Sequence, residues 1–162
     1  MNLKNDILML LEKNAKLTTE EIALRLDAKN EEVASIVREL EKDKIILGYS
    51  TVINWDMTDK ETVTALIEVR ITPQRGQGFD RIAQRIYSYA EVKDCFLMSG
   101  GYDLLIVIEG RTLKEVAMFV SEKIAPLDSV VSTQTHFILK KYKANGTVYD
   151  SESETSREAV VL

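Results

Sequence analysis

Hydrophobic and polar positions along this chain follow two rhythms, and the change from one to the other falls near residue 45. Before it the period is helical. Over residues 2–14, Leu3, Ile7, Leu10 and Leu11 share one face, at the spacing of a short amphipathic helix. A second helix begins with Thr18-Thr19-Glu20-Glu21, a capping box in which the Thr18 hydroxyl and the Glu21 carboxylate satisfy end N–H groups. It carries Ile22, Ala23 and Leu26 inward. After the break Asp27-Ala28-Lys29, Asn30 is placed to cap a third helix striped by Val33, Ile36, Val37 and Leu40 and ending near Asp43-Lys44. Three short helices, the last two joined by a tight break, describe a helix-turn-helix.

From Ile45 to Ile53 the composition becomes β-branched and aromatic, which predicts a strand forming a wing beside the helices. Residues 54–61 hold turn formers and charges but few periodic apolar positions, and the boundary between the two halves belongs there. Beyond it, Val63, Ala65, Ile67, Val69 and Ile71 alternate as a strand. Phe79, Ile82, Ala83 and Ile86 stripe a helix, and Val92, Phe96 and Met98 belong to a second strand. The order then repeats: a strand over residues 102–109, a helix opened by the capping box Thr112-Leu113-Lys114-Glu115 and striped by Leu113, Val116, Val120 and Ile124, and a last strand over residues 130–141.

Two β-α-β units make a ferredoxin-like sandwich, so the fold class is α+β: a winged helix-turn-helix over residues 1–49, a hinge strand and linker over 50–61, and a βαββαβ domain over 62–143. Residues 144–162 mix Asp150, Glu152, Glu154 and Glu158 with serines, the composition of an acidic mobile tail. Between Tyr102 and Ile108 both alternations are apolar, although helices can cover only one face of so small a sheet. The second face calls for a partner, and a closed twofold dimer is the economical one.

Charge and composition narrow the classes. The 162 residues are 45% hydrophobic with a net charge of −5, so a real core is expected and a strongly basic nucleic-acid surface is not, although a local surface can oppose the global sign. The first residues lead into a mixed polar pattern rather than a signal-peptide core, no apolar run suffices to span a bilayer, and a cytoplasmic location is expected. A single cysteine, Cys95, and a single histidine, His136, cannot build a Cys/His metal cluster, and no cofactor is implied.

The candidate chemistry centres on Ser99-Gly100-Gly101-Tyr102-Asp103. Two adjacent glycines between β-rich runs read as a tight hairpin turn at the centre of the sheet. Their bare N–H groups, with the Ser99 and Tyr102 hydroxyls and the Asp103 carboxylate, also suit a small polar ligand, and both readings stand. Ser99, Asp103 and His136 can be written as a triad, but neither a nucleophile elbow nor an oxyanion motif accompanies them, and an enzyme is not expected.

The helix-turn-helix, the Gly48-Tyr49 hinge strand, the Ser-Gly-Gly-Tyr-Asp turn and the last strand through Thr133, Thr135 and His136 together resemble the leucine-responsive regulator (Lrp/AsnC, feast/famine) family over residues 2 to about 143. The resemblance implies a sequence-specific, DNA-binding transcriptional regulator whose dimers assemble further, as far as an octamer. It also implies that an amino acid or related metabolite, bound by the C-terminal domain, modulates assembly or DNA binding. Under it Asn30, Ser35, Arg38 and Lys42 would face double-stranded DNA. Gly100 and Gly101 would hold the effector's carboxylate and Asp103 its ammonium, while Ser99, Tyr102, Thr133 and Thr135 would complete the site. The chain departs from the family on the third helix, where Glu31, Glu32 and Glu39 stand among the DNA-facing positions. Glutamates repel phosphates, so weaker or more salt-sensitive DNA binding is expected, and a helix-turn-helix that contacts another protein is the alternative.

Overall fold

The chain divides into two compact units, Met1–Val52 and Ile53–Leu162, and the computed structural model describes residues 2–72 and 78–149 of it. The first unit holds α1 (Leu3–Lys13), α2 (Thr19–Leu26) and α3 (Asn30–Lys42). Their apolar stripes converge: Ile7, Leu11, Leu17, Ile22, Ala23, Val33 and Leu40 form one buried core. The expected capping box is present, with the Glu21 N–H donating to the Thr18 hydroxyl at 3.2 Å and the Thr18 N–H to the Glu21 carboxylate at 2.8 Å. Asp27 turns left-handed (φ 52°) at the end of α2, and the Ala28 N–H closes on the Ala23 carbonyl at 3.0 Å. These make the turn of the helix-turn-helix.

Asn30 does not cap α3 as expected. Lys29 occupies the cap position without a side-chain bond, Asn30 is the first helical residue, and its amide donates to Glu20 Oε1 at 3.1 Å. With an acceptor on α2 within reach, the side chain ties the two helices together instead of the helix end.

The wing strand expected over residues 45–53 is also absent. The N–H groups of Ile45 and Ile46 fold back onto the Leu40 carbonyl at 2.9 and 3.1 Å, past a left-handed Lys44 (φ 59°), and Tyr49 is held by a 2.8 Å bond from its hydroxyl to Glu41. Strand propensity alone does not pair the backbone, and a segment without a ladder partner stays irregular. One 3₁₀ turn, Trp55–Met57, follows, with Lys60 Nζ 4.0 Å from the centre of the Trp55 ring.

The second unit is the ferredoxin-like sandwich. It runs β1 (Val63–Ile71), α4 (Asp80–Tyr87), β2 (Val92–Leu97), β3 (Leu104–Gly110), α5 (Leu113–Phe119) with a π turn over Val120–Ile124, and β4 (Val130–Phe137). The antiparallel order β2-β3-β1-β4 puts β1 and β3 in the middle. Ala65, Ile67, Val69, Leu104, Ile106 and Ile108 face Ile82 and Ile86 of α4 and Val116, Phe119, Val120 and Ile124 of the second helix. Leu113, expected in that stripe, is 55% exposed at the start of α5, and Phe119 buries instead, three residues after Val116 and so on the same helical face. The second capping box is half formed: Thr112 accepts the Glu115 N–H at 3.1 Å, but the Glu115 carboxylate takes the Arg111 N–H at 2.8 Å, one residue early.

β4 ends at Phe137, short of the expected residue 141, with one further bond from the Ile138 N–H to the Thr64 carbonyl at 2.9 Å. Residues 144–148, expected within the acidic tail, are structured instead. β5 (Lys143–Ala144) and β6 (Thr147–Val148) form a small hairpin whose left-handed Asn145-Gly146 pair, at φ 49° and 76°, suits a type I′ turn. Residues 150–162 lie outside the described residues. The sheet face away from the helices carries Leu66, Phe96, Leu105 and Val107, interrupted by a 3.2 Å contact between His136 Nε2 and Glu68 Oε1.

Ile67 is fully buried at the centre of the core sheet. Replacing it with alanine should cost about 2–5 kcal/mol, the range for emptying a branched aliphatic site in a close-packed core. Urea unfolding followed by circular dichroism reads the loss, and a cost below 1 kcal/mol would show that the core is not packed as described.

Candidate functional site

Two surfaces carry the candidate residues. On α3, Val33 and Leu40 are buried, which turns Ser35, Arg38 and Lys42 outward along one stripe. Among the described residues neither Arg38 nor Lys42 forms an ion pair. Glu39 is engaged by Lys4 at 2.7 Å, so one of the repelling carboxylates on this helix is partly neutralised. Asn30 stands apart, held by Glu20, whose own carboxyl is kept below its usual range by backbone N–H bonding and then by Thr18 and Asn30. Beside α1 the irregular segment leaves an open hollow of about 340 Å³ lined by Leu8, Leu11, Ile45, Leu47 and Tyr49. Desolvation, then Glu41, raises the Tyr49 hydroxyl above its usual value.

The second surface is the turn between β2 and β3. It does not lie at the sheet centre, because β2 is an edge strand; it sits at one end, against the last residues of β1. The Met98 N–H closes it onto the Asp103 carbonyl at 2.8 Å. Only Gly100 needs its glycine conformation, at φ 145°, and Gly101 keeps an ordinary one. The turn is clamped to β1 by three bonds. The Asp103 N–H donates to the Val69 carbonyl at 3.0 Å, the Ile71 N–H donates to Asp103 Oδ2 at 2.7 Å, and Arg70 Nε donates to the Gly101 carbonyl at 2.8 Å.

These bonds form where regular pairing stops. The β1–β3 ladder ends at Val69 opposite Leu104, and the β1–β4 register shifts between Arg70 and Ile71. The Asp103 side chain replaces the backbone acceptor that Ile71 has lost, and irregularities of this kind often re-aim side chains beside functional sites. Arg70, missed in the sequence, is a functional candidate here. Its only signal there was a charge near the end of an apolar alternation.

Thr133 and Thr135 lie opposite Val69 and Ile67, both buried, and therefore on the helix-covered face of the edge strand. Arg70 and Ser132 pair on the other face. The turn, Arg70 and Thr133 thus lie toward one end of the sheet, with Thr133 on the face opposite Arg70, whereas Thr135 sits opposite Ile67 at mid-sheet and is not brought to the turn. The paper triad does not assemble. His136 pairs in register with Leu66, about 13 Å along β1 from Arg70 at ~3.3 Å per residue, and contacts Glu68. Cys95 is half-buried, and burial pushes its thiol up, away from the reactive thiolate. Among the described residues no group of three or more His, Cys, Asp or Glu side chains is placed to hold a metal ion, and no helix is long and apolar enough to cross a membrane.

A helix-turn-helix unit joined to a ferredoxin-like domain with a polar glycine turn is the architecture of a transcriptional regulator with a ligand-binding domain. The chain belongs to the Lrp/AsnC family of such regulators: residues 64–148 match the family model for the Lrp/AsnC ligand binding domain. The uncharacterized HTH-type transcriptional regulator YugG of Bacillus subtilis is 48% identical over 158 residues, which cover 97% of this chain and 95% of that protein. Among solved structures, E. coli AsnC matches with a TM-score of 0.70 at 20% identity, covering 93% of this chain and 98% of its own. A Neisseria meningitidis transcriptional regulator in complex with L-Met matches with a TM-score of 0.70 at 21% identity, over 89% and 92% of the two chains. At such identities the likeness to the solved structures is one of fold.

The role of Asp103 in holding the turn can be separated from its charge. Asp103→Ala should cost roughly 1–3 kcal/mol by leaving the part-buried Ile71 N–H without an acceptor, whereas Asp103→Asn should restore most of the loss. Urea midpoints of the two variants check this, and equal losses would mean that the carboxylate acts otherwise than as an acceptor.

Proposed function

We propose that this Lrp/AsnC-type regulator binds double-stranded DNA as a dimer through the outer face of α3, and that a small amino-acid-like effector bound at residues 99–103 biases its assembly or its DNA binding. The observation that carries the reading is the glycine turn clamped across the broken end of β1, with a carboxylate and bare backbone N–H groups at one place. The N–H groups of Gly100 and Gly101 suit an α-carboxylate and Asp103 suits an ammonium. Ser99 and Tyr102 offer hydroxyls within the same turn, while Thr133 and Thr135, on the helix-covered face of β4, are the more remote members of the set. That a neighbour in fold was solved with L-Met supports the effector class.

On the DNA side, Arg38 and Lys42 supply phosphate or guanine contacts and Ser35 a polar one, while Asn30, tied to Glu20 of α2, holds the two helices together. Effector control needs only linkage: a ligand that binds one assembly better than another shifts the population toward it by that difference in affinity. The apolar residues Leu66, Phe96, Leu105 and Val107 on the sheet face away from the helices support a twofold dimer, with larger rings such as an octamer built from it in the cytoplasm. No cofactor and no catalysis enter this reading. The acidic start of α3, Glu31-Glu32, favours one alternative, a helix-turn-helix that contacts another protein.

A gel shift with the DNA upstream of its own gene, run at several salt concentrations, distinguishes the two. Binding should weaken steeply with salt, and Arg38→Ala with Lys42→Ala should abolish the shift, or flatten the salt slope by about 2 if both contact phosphates. No shift at low salt from a folded dimer would remove DNA as the partner. Separately, one or more of the twenty amino acids should raise the melting temperature, and Asp103→Asn, which keeps the acceptor for Ile71, should lose that response.

A further inference from the structure

Arg70 and Asp103 carry opposite charges and are anchored to neighbouring backbone groups, yet they do not form an ion pair. Arg70 Nε is bonded to the Gly101 carbonyl at 2.8 Å and Asp103 Oδ2 to the Ile71 N–H at 2.7 Å, while no guanidinium nitrogen lies within 4 Å of the Asp103 carboxylate. The Gly101 carbonyl is the one partner of the Arg70 side chain among the described residues. Four N–H donors on its two terminal nitrogens are left over, on an exposed side chain.

We propose that Arg70 is a ligand-binding residue of the sensor site, taking the α-carboxylate of a zwitterionic effector whose ammonium faces Asp103. The proposal rests on the reading of residues 99–103 as that site. A guanidinium presents a planar fork that matches a carboxylate with two parallel bonds, which a lysine ammonium cannot do. Its bond to Gly101 restrains the fork before the ligand arrives, and this lowers the entropy lost on binding. A cation and an anion, held apart at one glycine turn by separate backbone bonds, complement the two poles of an α-amino acid. Discrimination follows from the same geometry: an α-amide in place of the carboxylate forfeits the charge-assisted pair.

The test uses the full-length chain and a panel of the twenty L-amino acids, with calorimetric titration of wild type, Arg70→Gln and Arg70→Lys. For each amino acid that binds the wild type, its α-carboxamide is titrated as well. Loss of a charge-assisted pair should weaken binding by roughly 10- to 150-fold in Arg70→Gln, with a partial return in Arg70→Lys. The amide should be disfavoured by wild type and bound about equally with the acid by Arg70→Gln, because each change removes the same interaction. This acid-to-amide ratio would not move if Arg70 only braced the turn. Undiminished binding by Arg70→Gln, with the response still lost in Asp103→Asn, overturns the role of Arg70 and leaves the site reading intact. If no amino acid binds the wild type, the site reading fails and Arg70 with it. Should Arg70→Gln not fold, the amide titrated against wild type and Arg70→Lys decides: equal binding of acid and amide by wild type overturns the proposal.

Discussion

The bond between the Asp103 carboxylate and the Ile71 N–H, 2.7 Å long, is the contact on which the sensor end of the molecule depends. β1 is central and must be paired on both sides. At its last residues the backbone of β3 has already turned away and the β4 register has slipped. An unpaired N–H at that depth is costly, and a side chain supplies the missing acceptor. Because Asp103 serves there, the glycine turn is held against β1 instead of projecting free from an edge hairpin, and Arg70 is drawn onto the Gly101 carbonyl. The polar groups of the proposed effector site are thus consequences of how a sheet ends.

The two units rest on the same kind of packing in different geometry. In the first, three short helices bury one stripe each, and capping at Thr18 together with the left-handed Asp27 sets the break between α2 and α3. Burial of Val33 and Leu40 then leaves Ser35, Arg38 and Lys42 outward with no further instruction. In the second, the helices cover one sheet face only. The other face keeps Leu66, Phe96, Leu105 and Val107 beside the Glu68–His136 contact, a mixed surface of apolar and charged groups. Phe96, 49% exposed, is large enough that covering it would yield substantial burial.

Electrostatics shape the nucleic-acid side less simply than net charge suggests. A chain at −5 would repel DNA on average, but the relevant field is that of a few side chains within about 8–10 Å. The Lys4–Glu39 pair partly offsets one carboxylate, and among the described residues Arg38 and Lys42 form no ion pair. Glu31 and Glu32 sit in the first turn of α3, where the helix dipole favours negative charge. Their place there has a structural cause, and it does not by itself exclude DNA.

Periodicity determined the element order, the β-α-β-β-α-β topology and nearly every core residue, because burial is decided locally by which positions share a face: Ile7 and Leu11, Val33 and Leu40, Ile67 and Val69 were all legible. The turn at residues 99–103 was legible as well, from its glycines. What the sequence could not decide depended on partners distant in the chain. Residues 45–53 have strand composition, but no ladder partner lies beside them in the described chain. Asn30 found Glu20 rather than its own helix end, and Phe119 rather than Leu113 packs with Val116 in the core. The bond from the Ile71 N–H to Asp103 was not legible, nor was Arg70, unremarkable within its strand, which is bonded to Gly101 of the same turn. Hydrogen-bond partners thirty residues away are set by register and by where each ladder ends, and those follow from the assembled sheet rather than from any window of sequence.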